Sequence, residues 1–434
     1  MVGRRPLGRQ FGWLWTAYAV SAYGSGLGFG ALPLVAVLAL HASPAEVSAL
    51  SAVGPAVGAL IALPLAPWVE FRRKRPVMIA MDLTRFAVMA TIPFAYAFGQ
   101  LGFVQLLVAS AVLAAAKIAS GAAGGAYLKS LVRPDDLLVA NARFESTNWS
   151  SIAVGPPLGG AAIGLFGPVV TVVADALSYL LSALCLTAIR GREEAPQAPP
   201  QAPQAPPRVP QSPQAPQTTG KNPARAGALL DGWRHIMGHP GLRALYLNQM
   251  LVAGLIMATE PLLAVLLLRR LGFPPWQYGL AFAVPCVGGL IGSRLARGGV
   301  ARYGRHRVFR TVGTLRVIWL IGLAFVRPGF VGLVTVIAVE LAIIINMSLY
   351  TPVLATYRLE QTPRHLVART LSAWSIGQQA SIAVLTALAG LLADVTGPRT
   401  ALTVVGLLIL ATPLLLPRHD HTLKPEPEPA RSNS

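Results

Sequence analysis

The sequence predicts an all-α membrane protein of twelve transmembrane helices, arranged as two six-helix pseudo-repeat bundles with both termini cytoplasmic. Three observations carry this expectation. Hydrophobic residues make up 54% of the 434 positions and charged residues only 12%, with a mean hydropathy of +0.56, which is a membrane composition. Apolar runs of roughly 20 residues, enough to cross a hydrocarbon core about 30 Å thick, recur along the whole chain. A polar stretch at 195–223, holding ten of the 36 prolines, separates two parts of similar length and hydropathy.

The runs are read as helices because lipid offers no partner for backbone donors and acceptors, and the strict alternation of barrel strands is missing. They fall at 11–40, 45–69, 76–98, 101–128, 139–165 and 167–189, then at 241–270, 275–297, 307–326, 329–357, 365–393 and 398–416. The first is too long for a signal peptide and has no A-x-A site, so it is expected to remain as a span. Very short turns at Gly99–Gly102, Gly167-Pro168 and Gly397-Pro398 make consecutive helices pack as hairpins.

Charge decides orientation. The chain carries 36 Lys and Arg against 17 Asp and Glu, a formal net charge of +19. Most of the cations lie in alternate loops and tails, among them Arg4, Arg5, Arg9, Arg72 to Arg75, Lys129 to Arg143, Arg294 to Arg310 and Arg358 to Arg369. Only Arg269, Arg270, Arg327 and Arg399 fall in the opposite loops. This is the positive-inside pattern and argues against nucleic acid as a partner. The expected organisation is a first bundle at 1–190, a cytoplasmic Pro/Gln-rich linker at 191–230, a second bundle at 231–417 and a disordered cytoplasmic tail at 418–434. Repeated PQAP units favour an extended polyproline spacer over a ligand for a proline-binding domain.

A weak internal echo supports duplication. YLKSLVRPDDLLVANA at 127–142 corresponds to YRLEQTPRHLVARTL at 357–371, and each precedes a long span that ends in Gly-Pro. Two such halves suit an alternating-access transporter with its substrate path between them.

Ionisable residues inside spans are costly and therefore mark candidate coupling or ion-path positions. They are Lys117, Asp175, Glu260, Arg316 and Glu340. Gln249 projects within about 20° of Glu260 on an ideal helix, as Met347 does of Glu340, so Gln249 and Met347 are substrate-cavity candidates. For the acids, pairing with a neighbouring arginine is the competing reading. Asp82 and Arg85, three apart on one helical face, are expected to pair. Nucleotide-binding, nucleophile-elbow and metalloprotease motifs are absent, so the chain is not expected to be an enzyme. Cys185 and Cys286 sit in apolar runs and the histidines in loops or tails, which predicts neither disulfide nor metal.

SIAVGPPLGG at 151–160 follows the pattern G-x-x-x-G-P-x-x-G-G, with Ser151 in place of the first glycine and Gly155, Pro156, Gly159 and Gly160 retained. Glycine lets backbones approach, and the paired prolines break backbone bonds and permit bending. With the FGWLW opening, APWVEFRRKRPV at 66–77, VANA before the fifth span and ADALSYLLSAL in the sixth, the chain resembles the major facilitator superfamily over about residues 8–417. Within it the drug and siderophore branch, which includes macrolide and enterobactin efflux proteins, is most similar. The resemblance implies the antiporter motif of exporters in the fifth span. It also implies a cytoplasmic gate in the basic turn, carried here by Glu70, Lys74 and Arg75 with Asp82 and Arg85 nearby. Ala66, Phe71 and Arg73 depart from the family's turn, and Arg72 to Arg75 could equally serve topology alone. Lys117 with Gly121 resembles the proton-coupling motif of the fourth span, with lysine for arginine.

The expected function is proton-coupled export of a hydrophobic or amphipathic small molecule, such as a drug, siderophore or natural product. The proton gradient is the energy source and no cofactor is needed. The alternatives are a proton-coupled uptake symporter and a transport-inactive membrane receptor of the same fold. A monomer in the cell membrane, working with a small-molecule substrate, protons and the lipid bilayer, completes the expectation.

Overall fold

The computed structural model describes residues 7–189 and 225–416, apart from 29, 71, 134–135, 290, 293–294, 296–301, 303 and 364–365. Every regular element among the described residues is helical. The first part contains α1 (Arg9–Leu27), α2 (Ala31–Leu38), α3 (Pro44–Glu70), α4 (Lys74–Ala97), α5 (Phe103–Leu131), α6 (Leu137–Phe166) and α7 (Val170–Thr187). The second contains α8 (Arg225–Gly238), α9 (Pro240–Val265), α10 (Pro275–Ala283), α11 (Arg305–Ile318), α12 (Phe330–Glu360), α13 (Val367–Thr396) and α14 (Pro398–Leu410). Eleven segments among the described residues are long and apolar enough to cross a membrane. The stretch at 275–297, expected as a further span, is represented by α10 and a 3-10 turn at Val284–Cys286, with several later residues outside the description.

Two local departures from the sequence reading matter. The first span is interrupted: Gly28 caps α1, and Gly30 starts α2 at φ 65, ψ 14. A side chain is disfavoured in that left-handed conformation, so the glycine-rich sequence GSGLGFG breaks a helix that hydropathy alone draws as continuous. The second departure is α8, which begins at Arg225 within the stretch read as linker. Ile236 of α8 is fully buried, and Gly232 packs on the backbone of Arg369 and Thr370 at the start of α13. The rest of the linker reading, and the tail at 418–434, lie outside the described residues.

After α2 the chain turns at His41, φ 51, and enters α3 through a capping box. The Ser43 amide donates to Glu46 Oε2 at 2.7 Å, and the Glu46 amide donates to Ser43 Oγ at 3.2 Å, satisfying donors that a helix start leaves free.

The apolar core is shared unequally. One buried cluster joins both halves, from Val35, Val47 and Leu106 to Leu262, Tyr278, Val336 and Ala393. At the other end each half has its own cluster. Phe11, Val77, Tyr127 and Leu186 serve the first half, and Ile236, Phe309, Tyr357 and Trp374 the second. The end with separate clusters carries Arg75, Lys129, Arg143, Arg358 and Arg369, so among the described residues the halves share their core at the end poor in cations.

Candidate functional site

A cavity of about 530 Å³ lies in the first half, lined from α1, α4, α5, α6 and α7, and it borders that half's own cluster at Leu14 and Leu128. Leu14, Leu128 and Asn141 lie toward the basic end, and Ser25, Lys117 and Pro156 line it deeper. One wall is a connected polar network. Asp82 and Arg85 pair at 3.5 Å, Ser182 Oγ donates to Asp82 Oδ2 at 2.7 Å, and Arg85 Nη2 donates to the Ala116 carbonyl at 3.2 Å. The Arg85 guanidinium lies 5.1 Å from the centre of the Tyr179 ring. Tyr179 and Ser25 share a hydroxyl contact of 2.9 Å, and Ser25 Oγ donates to Asp175 Oδ1 at 3.1 Å. Asp82, Arg85 and Asp175 are thus tied into the wall. Lys117 lines the same cavity from the middle of α5 and has no salt-bridge partner among the described residues.

The motif glycines of α6 make close backbone contacts. A Cβ on Gly155 would stand 2.3 Å from the carbonyl carbon of Gly26 in α1. One on Gly160 would stand 2.5 Å from the Pro275 carbonyl oxygen of α10, across the divide between the halves. Real Cβ atoms do not tolerate such distances, so these two helix crossings require glycine.

In the second half Arg316 is fully buried and surrounded by neutral groups. Its Nη1 donates to Gln249 Oε1 at 2.9 Å, its Nη2 donates to Asn248 Oδ1, and Met347 Sδ lies 3.8 Å from Nη1. The guanidinium stacks 3.7 Å from the centre of the Tyr350 ring. Gln249 and Met347, grouped by helical rotation with Glu260 and Glu340, are placed by the fold around this arginine. Asn248 and Tyr350, which complete the cage, were not singled out from sequence, because a lone amide or phenol in an apolar run carries no distinctive pattern.

Glu260 and Glu340 come within electrostatic reach of each other and of Tyr278. Neither has a salt-bridge partner among the described residues, so neither pairs with an arginine there.

In the basic turn Arg75 Nε donates to the Leu186 carbonyl at 2.9 Å, and Arg75 Nη2 donates to the Thr187 carbonyl at 2.7 Å. Both are terminal carbonyls of α7, where a cation also complements the helix dipole. Lys74 Nζ donates to the Arg72 carbonyl at 2.8 Å. Glu70 ends α3, and its side chain lies outside the described residues. A residue the sequence reading used only for topology has a clearer bridging geometry. Arg269 Nη1 donates to the carbonyls of His41 at 3.2 Å and Ala42 at 2.6 Å, joining the halves at the end away from the cavity. Among the described residues no group of three or more His, Cys, Asp and Glu has metal-site geometry.

The sequence profile described as Major Facilitator Superfamily matches residues 14–351 and, in a second alignment, 300–433. No curated protein matches the chain. Among solved structures, it resembles a bacterial homologue of the iron transporter ferroportin in an inward-facing state, with a TM-score of 0.72 and 16% identity over 94% of this chain and 99% of that one. It also resembles the nucleoside transporter NupG, with a TM-score of 0.70 and 10% identity over 94% and 98% of the two chains. A bacterial homologue of the human lysosomal transporter Spinster, inward-facing and unoccupied, gives a TM-score of 0.67 and 16% identity over 95% of both. At these identities the likeness concerns the fold.

Proposed function

This chain belongs to the major facilitator superfamily, and from that premise we propose that it is a proton-coupled exporter of an amphipathic small molecule in the cell membrane, with its termini cytoplasmic. The carrying observation is the unequal core: the halves share one cluster at one end and hold separate clusters at the other, where a cavity borders the first half's cluster. That asymmetry suits one state of an alternating-access cycle, in which the halves rock so that the cavity is reached from each side in turn. By the charge argument the present opening is cytoplasmic, where an exported compound is taken up.

Export is supported by the exporter-like motif of α6, whose Gly160 makes a contact with α10 that would have to be remade as the halves rock. Proton coupling is supported by Glu260 and Glu340, two carboxylates within electrostatic reach of each other and without a salt-bridge partner among the described residues. A proton on either one relieves their mutual repulsion, so proton occupancy can bias which opening is populated.

The test uses liposomes containing the purified protein and a pH-sensitive dye. An efflux screen over macrolides, siderophores and charged dyes supplies the compound. Export predicts that protons move opposite to that compound and that a protonophore abolishes its uphill movement. Movement in the same direction would establish a symporter, and flux indifferent to the protonophore would end the coupling claim.

A further inference from the structure

The charges facing the cavity define a substrate class. Its lining contains three acidic or basic side chains: Asp82, Arg85 and Lys117. Asp82 and Arg85 neutralise each other at 3.5 Å, and both make further bonds within the wall. Lys117, by contrast, is exposed and has no salt-bridge partner among the described residues, which leaves it as the lining cation open to a ligand's acid. It lies in α5, Phe103–Leu131, about halfway between the helix ends, where a bare charge is costly and a counter-ion is favoured.

The surface beside that ammonium is shaped for a bulky body. Gly121, Gly124 and Gly125 follow Lys117 on the same face of α5 and line the cavity with it. A Cβ on Gly121 or Gly125 would meet nothing within 4 Å, so the strip is open backbone. Leu14, Met78 and Phe144 add apolar walls, and Tyr18, Ser21 and Asn148 add neutral polar ones. A volume of about 530 Å³ suits a compound of drug size.

We infer that the substrate is an amphipathic organic anion, whose acidic group pairs with Lys117 while its apolar body lies along the Gly121–Gly125 strip. This rests on the reading above that the cavity is the transport cavity. Lys129 and Arg143, next in sequence to the lining residues Leu128 and Phe144, would raise the local concentration of such an anion.

Binding, measured without transport, separates the two claims. The protein in nanodiscs of neutral lipid is titrated with carboxyfluorescein and with rhodamine 123, dyes sharing a xanthene body but opposite in charge. Carboxyfluorescein is expected to bind the wild type at least tenfold more tightly than rhodamine 123. Lys117→Gln should remove that preference, Lys117→Arg should restore most of it, and Gly121→Leu should weaken both dyes by filling the strip. Thermal melting of each variant shows that it is folded. Preference for the cation, unchanged anion binding in Lys117→Gln, or no binding of carboxyfluorescein to the wild type would overturn the proposal. Anion binding that responds to Lys117 but is accompanied by no flux in liposomes would uphold the substrate class and defeat the transport reading instead.

Discussion

Arg269 Nη1 donates to the Ala42 carbonyl at 2.6 Å and so ties the end of the second half's first span to the α2–α3 turn of the first half. The acceptor is well placed because His41 turns at φ 51 and the Ser43–Glu46 capping box fixes the start of α3. The contact exists only while the halves are closed at that end. Arg269→Ala should therefore favour opening there. A charge-assisted bond on a side chain this exposed contributes about 1 kcal/mol, roughly a fivefold change in the ratio of the two states. Spin labels at Gln100 and Arg327, in a background lacking Cys185 and Cys286, would report a longer distance population rising by that factor. An unchanged distribution would show that the bond is not part of the closure.

Gly155 and Gly160 belong to one motif but have different neighbours, and alanine at each should act differently. Gly155 presses on Gly26 within the first half, so Gly155→Ala should lower the melting temperature in either conformation. Gly160 presses on Pro275 across the divide, so Gly160→Ala should act mainly by pushing the halves apart at their closed end. The same pair of labels separates the two: Gly160→Ala shifts the distances with little loss of stability, and Gly155→Ala does the reverse. Identical behaviour of both variants would reduce the motif to ordinary packing.

What the sequence reveals here follows from how strongly the bilayer constrains it. A span needs a long apolar run, so hydropathy locates helices such as α5 and α12 within a few residues. Asp82 and Arg85 were legible because an i, i+3 spacing is local, and they pair at 3.5 Å. Lys117 was legible because a charge in a span is costly. Contacts between helices were not. Helical rotation suggested a common stripe for Gln249 and Glu260, yet the distant Arg316 captures Gln249. Ser25, Ser182 and Tyr179 hold the cavity wall with hydroxyls too common in membrane helices to attract notice. The short helix α8 escaped because the adjoining proline-rich composition dominated the reading.

That helix yields its own prediction, because its attachments differ in strength. Asp231 reaches Arg369 at 2.9 Å and Arg234 at 3.7 Å, but these groups are substantially exposed. Asp231→Ala should cost no more than about 1 kcal/mol. Ile236 is 0% exposed within the cluster of Tyr357 and Trp374, so Ile236→Ala should cost about 2–4 kcal/mol through lost burial and a cavity. Thermal unfolding in detergent should rank them in that order. Equal effects would mean that α8 is held by charge rather than by packing.

Arg316 offers a sharper chemical test. Its planar guanidinium bonds Asn248 and Gln249 at once while lying 3.7 Å from the centre of the Tyr350 ring. A lysine keeps the charge but has one compact head in place of a fork, and it stacks poorly. Arg316→Lys should therefore leave an amide underbonded and destabilise the second half by about 2–3 kcal/mol, visible as a lowered melting temperature. Wild-type stability would show that the charge alone matters at this position.

The coupling proposal turns on two acids that share an environment. Glu260 immediately precedes Pro261 inside α9, where the missing amide removes one helical hydrogen bond and lets the backbone bend beside the carboxylate. Glu340 of α12 lies within its electrostatic reach, and Tyr278 of α10 within that of both. With no salt-bridge partner among the described residues, the pair is least repelled when one member holds a proton. If that proton is the one exchanged during the cycle, Glu260→Gln imitates the protonated acid at nearly constant volume and cannot release it. Substrate binding and exchange without a gradient should then persist, while transport driven by a pH gradient falls at least tenfold. Glu340→Gln should act in the same direction, and the double variant should be no worse than the more impaired single, as expected of groups serving one step. Gradient-driven transport at the wild-type rate in both single variants and in the double would remove this pair from coupling.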